Sequence, residues 1–134
     1  MSLGVNIAPV RLAGHYDHMD GLQRLGGGRF PSAFLVGTQV ENVESDAWYA
    51  GLTYDLTTAT SFNVLYGWEK ADEIQAAGFT GTRLERHRSI QVNMIHKFWT
   101  RWQVGLEYKR FDVKAFDGMK GDANLVHLAL WFFF

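Results

Sequence analysis

The chain has 134 residues with 13 Lys+Arg against 14 Asp+Glu, a net charge of −1 that gives no basic face for general nucleic-acid binding. With no cysteine, disulfides, thiolate metal sites and cysteine nucleophiles are excluded. Hydrophobic residues make up 47% of the chain, yet no run reaches the eighteen or so apolar residues of a spanning helix; strands that alternate in polarity escape that test. The opening MSLGVNIAPV lacks a basic stretch followed by a long apolar core, so no secretion signal is visible; the chain either stays inside or is a mature or shortened form.

Period two dominates from there on. Strands are expected near 5–16, where Pro9 removes a ladder donor, and near 32–41. In AWYAGLTYDL (47–56), Trp48, Ala50, Leu52 and Tyr54 alternate with Tyr49, Gly51, Thr53 and Asp55. The short link TTAT leads to SFNVLYGWEK (61–70), with Phe62, Val64, Tyr66 and Trp68 against Asn63, Leu65, Gly67 and Glu69. SIQVNMIHKFW, from Ser89, places Ile90, Val92, Met94, His96 and Phe98 opposite Gln91, Asn93, Ile95 and Lys97. After Thr100-Arg101, Trp102, Val104, Leu106 and Tyr108 alternate with Gln103, Gly105, Glu107 and Lys109, which defines an antiparallel hairpin. The final ANLVHLALWFFF puts Val126, Leu128, Leu130, Phe132 and Phe134 on one face; Leu125, His127, Ala129, Trp131 and Phe133 take the other. The count is about seven strands, or eight with a break at Pro9.

The links differ in length. TTAT and TR are tight turns, whereas 22–31, 71–88 and 113–122 read as long loops gathered at one end, the second with a helical turn over DEIQAAG stopped by Gly78. Gly26-Gly27-Gly28 lacks the lysine and helix of a phosphate loop, and no nucleophile elbow or zinc-protease motif occurs. HYDHMD is the one metal-like cluster, but His15 and Asp17 share a face that His18 does not, too few converging ligands for zinc. No metal, cofactor or enzymatic activity is expected.

Apolar-out, polar-in alternation over about ten residues in successive strands is the pattern of a membrane β-barrel. A soluble barrel has the same alternation with the faces reversed, and periodicity alone leaves both open. Aromatic residues near strand ends (Trp48, Tyr54, Tyr66, Trp68, Trp102 and Tyr108) are placed as lipid-facing girdles are. On the membrane reading, Thr53, Asp55, Asn63, Glu69, Gln91, Asn93, Lys97, Gln103, Glu107, Lys109 and His127 face a lumen. Arg83, Arg86 and Arg88 then form a positive patch in a loop at its mouth, able to steer anionic solutes.

The closing stretch resembles the last three strands of DcaP-like outer-membrane porins. The matching elements are Arg88-Ser89 opening a strand, Gly105-Leu106-Glu107-Tyr108 in the next, Gly121-Asp122-Ala123-Asn124 before the last, and Phe134 at its end. YAGLTYDLTTATSFNVLYGWEKAD is similar to an upstream hairpin of such porins, so the resemblance covers 47–134. It implies an all-β fold, an antiparallel up-and-down membrane β-barrel or part of one, formed by 1–134 as a single domain or as a piece of a larger barrel. It further implies the bacterial outer membrane, passive diffusion of small polar solutes, and contact with the lipid bilayer. Val126, Leu128, Leu130, Phe132 and Phe134 resemble the terminal signal read by the outer-membrane assembly machinery. Family members are more than twice as long and form wide trimeric barrels, so a fragment, a reduced relative, or several copies sharing one barrel as a homo-oligomer all fit. Two other classes stand beside this reading: a soluble antiparallel barrel holding an apolar ligand, and a structural membrane barrel that conducts nothing.

Overall fold

The computed structural model describes residues 1–20, 33–36, 38–72 and 84–134. Among these described residues nine strands follow in chain order: β1 Ser2–Ile7, β2 Val10–Asp20, β3 Ala33–Val36, β4 Gln39–Asn42, β5 Glu44–Asp55, β6 Thr60–Ala71, β7 Leu84–Phe98, β8 Trp102–Ala115 and β9 Lys120–Phe132. Seven form one antiparallel sheet in the order β1-β2-β5-β6-β7-β8-β9, and β3 pairs with β4 in a separate ribbon. Every neighbour in the large sheet is the next large-sheet strand along the chain, the up-and-down connectivity in which hairpins set the register. The sheet is not closed: β1 and β9 are its two edges.

Two expectations are corrected, and the break offered at Pro9 is present. The segment 32–41 is not a wall strand, because β2 pairs directly with β5 along eleven positions from Val10↔Tyr54 to Asp20↔Glu44, and β3 and β4 fold on each other instead. The chain does break at Pro9, where Asn6↔Arg11 and Ile7↔Val10 close a tight β1–β2 turn around a cis Ala8-Pro9 peptide. Nor are 84–88 and 113–122 loops: β7 begins at Leu84, and β8 and β9 run to Ala115 and from Lys120. Only a tight turn remains there, with the Ala115 N–H on the Met119 carbonyl (2.8 Å) and the Met119 N–H on Asp117 Oδ1 (2.9 Å). Gly118 sits at φ 85° in that turn, a conformation that side-chain-bearing residues resist. Arg86 and Arg88 therefore stand in β7 rather than in a mouth loop. Arg83, the helical turn expected in 71–88, and the loop 22–31 lie outside the described residues.

The expected tight turns are present. At 57–60 the Thr57 hydroxyl accepts the Ala59 and Thr60 N–H groups at 3.1 and 3.0 Å. At the β7–β8 turn Trp99 takes φ 56°, and its side chain is 82% exposed.

This wall has almost no core. Val43 and Ala71 are buried, with Leu84 and Phe116 packed against them, all near one end of the sheet. Elsewhere the large apolar side chains are exposed, among them Leu52, Val64, Val92, Leu106, Val126, Leu128 and Phe132. The accessible surface is 9170 Å², against about 7,100 Å² for a folded soluble monomer of this mass. A single layer of sheet exposing one apolar face is stable only where something apolar covers that face.

Candidate functional site

Register decides which side chains share a face, since successive residues of a strand alternate. One row runs Thr53↔Asn63↔Asn93↔Glu107↔His127 across β5 to β9. Parallel rows bring Gln91 beside Lys109, Lys97 beside Gln103, and Glu69 beside the buried His87, with Asp55 opposite Ser61. All eleven residues assigned to a lumen thus lie on one polar face. The six aromatic residues Trp48, Tyr54, Tyr66, Trp68, Trp102 and Tyr108 lie on the other, as do Val126, Leu128, Leu130 and Phe132, with Phe134 just past the strand and its ring 6.4 Å from that of Phe132.

The polar face is hydrogen-bonded along its rows. Thr53 Oγ1 donates to Asn63 Oδ1 at 2.6 Å, and Asn63 Nδ2 donates to Asn93 Oδ1 at 2.6 Å. Glu107 is held by Lys109 Nζ at 3.0 Å and His127 Nδ1 at 3.3 Å, and Arg11 pairs with Asp55 at 2.9 Å. Hollows of about 710, 420 and 350 Å³ lie mostly along this face, the largest between Asn6, Arg11, Tyr49, Thr53, Asn63 and Gln91. Such a wall can hydrate polar solutes and place fixed charges beside them. His15 and Asp17 do share this face and bond to each other, but no metal-binding group of three or more ligands occurs among the described residues.

Aromatic groups on the polar face escape a simple polar/apolar reading. Trp131 lies across the wall at Gly105, where a Cβ would sit 2.7 Å from its ring. Leu65 crosses Gly51 in the same way, at 3.2 Å, and Tyr49 stacks on His15 with centroids 5.4 Å apart. The usable signal is a glycine and a bulky apolar residue on neighbouring strands of one polar face. The glycine removes the obstacle and the ring covers the bare backbone.

The opposite face is a slanted band. Its upper border, the last apolar residue before charged or polar ones, is Tyr16, Trp48 and Trp68 on β2, β5 and β6. It steps to Ile90 on β7, level with Tyr66, then to Tyr108 and Val126, level with Val64. The lower border drops by the same four residues in total, all of it between Phe62 on β6 and Phe98 on β7, and stays level through Trp102 and Phe132. Four residues are about 13 Å, and the three strand spacings from β6 to β9 about 14 Å, so over β6 to β9 the strands cross the band at roughly 40°, within the tilt of barrel strands, while from β2 to β6 the upper border is level. Along β7, Ile90 to Phe98 spans about 26 Å, or about 20 Å normal to the band at that slant.

Above the band the same face becomes charged. Asp46 accepts from Tyr16 Oη at 2.6 Å and pairs with His18 Nδ1 at 3.0 Å. Those two bonds hold its carboxyl below the usual range, and the bond to Asp46 raises the His18 imidazole above its ordinary value. On β7 to β9 the belt carries Arg86, Arg88, Arg110, Lys114 and Lys120 with Asp112 and Asp122.

This architecture has a known counterpart. Its fold is similar to part of an outer-membrane channel. The crystal structure of the outer membrane channel DcaP of Acinetobacter baumannii superimposes with a TM-score of 0.80 at 18% identity, over 98% of this chain and 40% of that one. The chain thus spans about two fifths of DcaP, whose fold agrees with the all-β, porin-like architecture expected from the sequence. No protein-family model matches, and no curated protein does. The similar structure is a channel rather than an enzyme.

Proposed function

We propose that this sheet is wall of a porin-like channel in the bacterial outer membrane, along whose polar face small polar solutes diffuse passively. The observation that carries the reading is the slanted apolar band. A ligand cavity inside a soluble barrel asks only for apolar residues to converge. It does not ask for two borders that drop by the same amount between β6 and β9, or for aromatic residues at both.

The hollows on the polar face, the likeness to DcaP and the exposed apolar face support the same assignment. Open edges in hydrocarbon leave backbone donors and acceptors unpaired, so β1 and β9 pair in the membrane with further strands, from more polypeptide or from another copy. Phe134 and the alternating apolar residues before it suit recognition by the outer-membrane assembly machinery.

The cysteine-free chain permits a direct test. Single cysteines at Val92, Asn93, Leu106 and Glu107 are reconstituted in phospholipid vesicles. Water-soluble maleimide should label positions 93 and 107, while a fluorophore at 92 or 106 should be quenched by brominated acyl chains. The reverse pattern, or a monomer soluble without detergent, returns the soluble ligand-binding barrel. The expected pattern without any conductance step in a planar bilayer leaves a structural barrel.

A further inference from the structure

The charged belt on β7 to β9 has no part in a lumen, since it lies on the face opposite Glu107 and Asn93. We propose that the hollow bounded by Arg86, Arg88 and Lys120, on the outward face above the apolar band, binds the phosphorylated headgroup of a membrane lipid. This inference rests on the membrane reading of that band.

Height is the first argument. Arg88 stands one outward position above Ile90, about 5 Å along the membrane normal at a 40° slant, and Arg86 about 10 Å, within the headgroup layer. Below them Ile90, Val92 and Tyr108 offer the surface that acyl chains cover. A molecule lying against this wall therefore meets an apolar strip and then cations, the order of an anionic amphiphile.

Availability is the second. Arg110 is engaged by Asp112 at 3.4 Å and Lys114 by Glu85 at 2.5 Å, whereas Arg86, Arg88 and Lys120 have no ion-pair partner among the described residues. Arg86 and Arg88 are both half-buried and stand two residues apart on one face of β7. Asp112 and Asp122 also border the hollow, so its rim carries three cations against two carboxylates, one of them already paired with Arg110.

Shape is the third. The hollow measures about 370 Å³, a concavity that takes a compact phosphate group and that a flat protein face leaves empty. Guanidinium forks match phosphate oxygens, and Lys120 adds a point charge. At the same height on β2 and β5 the belt is acidic, with Asp20, Glu44 and Asp46 outward, so the site is confined to one end of the sheet.

The test is native mass spectrometry of the full chain in detergent with added lipid A, comparing the bisphosphorylated and dephosphorylated forms. The unaltered protein should retain the bisphosphorylated form, and the R86Q/R88Q variant should bind it about tenfold more weakly. K120Q, a milder change, should weaken it less and guards against a double variant that does not fold. Equal retention of both lipid forms, or none of either, overturns the proposal. So does displacement by inorganic phosphate alone, which would make the hollow a free-anion site. A change in subunit number with no change in lipid would show a second copy seated there. Quenching of a probe at position 92 by brominated lipid is read alongside. If quenching fails, the membrane reading has failed; if quenching holds and lipid retention is unaltered, only the headgroup site has failed.

Discussion

Replacing Gly105 by alanine should be harmful only while Trp131 is present. The added Cβ would stand 2.7 Å from the indole ring, and ordinary contact begins near 3.4 Å, so the ring must retreat by about 0.7 Å. Trp131 is 41% exposed on that face and has room to move, but moving uncovers the strand backbone beneath it. Overpacking of this kind costs about 1–3 kcal/mol. Without the ring the sign reverses, because alanine in a strand is favoured over glycine by about 0.5–1 kcal/mol. Urea unfolding of G105A, W131A and G105A/W131A in one detergent, followed by far-UV circular dichroism because a tryptophan is removed, gives the coupling. The expected value is about 1–3 kcal/mol. A coupling below about 0.5 kcal/mol would mean that the two sites act independently and that Gly105 is not there to admit the ring.

Other consequences concern the two faces and the turns. Val92→Arg should lose about 2–4 kcal/mol in lipid vesicles, while Gln91→Arg on the adjacent polar position should stay within about 0.5 kcal/mol, both read by urea unfolding. Glu107→Gln removes a fixed negative charge from the polar face, and reversal potentials across a planar bilayer should shift toward anions; no shift would place Glu107 away from the solute path. Gly118→Ala should cost about 1 kcal/mol, because φ 85° is disfavoured for alanine, and Gly118→Asn clearly less. His18 should titrate above its ordinary value by nuclear magnetic resonance and fall back toward it in Asp46→Asn. Because the folded His18 pKa is raised and that of Asp46 lowered, the pair favours the folded state between the two: its contribution is lost as pH rises through the folded His18 value and as pH falls through the folded Asp46 value.

The faces of β5 to β9 were legible because a sheet with one apolar and one polar face imposes a strict period of two, which the pairs Thr53/Leu52, Asn93/Val92 and Glu107/Leu106 display. That legibility ends where the band ends. Above it the outward face is charged and the inner face mixes buried polar residues such as His87 with small apolar ones such as Ala115, so ERHR in β7 and DVKA in β8 show no clean alternation and read as loops, although the backbone ladder continues through Arg86↔Lys114 and Asp112↔Asp122. Segment 32–41 failed for another reason. Its local pattern suits a strand, but whether β2 pairs with it or with β5 is settled by long-range register. Arg86 and Arg88 read as loop residues for the same cause: without alternation to follow, the extension of β7 to Leu84 does not show in the sequence.

The slant of the apolar band bears on how this sheet finds its register. In a water-soluble sheet a slip of one residue is punished, since it turns the faces inside out, but a slip of two keeps every side chain on its proper side. Here a two-residue slip of β7 toward the lower border would pull Arg88 below the interface and drive Phe98 out beyond it. On the proposed membrane reading, hydrocarbon would detect the even-numbered errors that inside–outside parity lets pass. The bilayer would then act as a ruler held at an angle to the strands, with each strand aligned against it as well as against its neighbours.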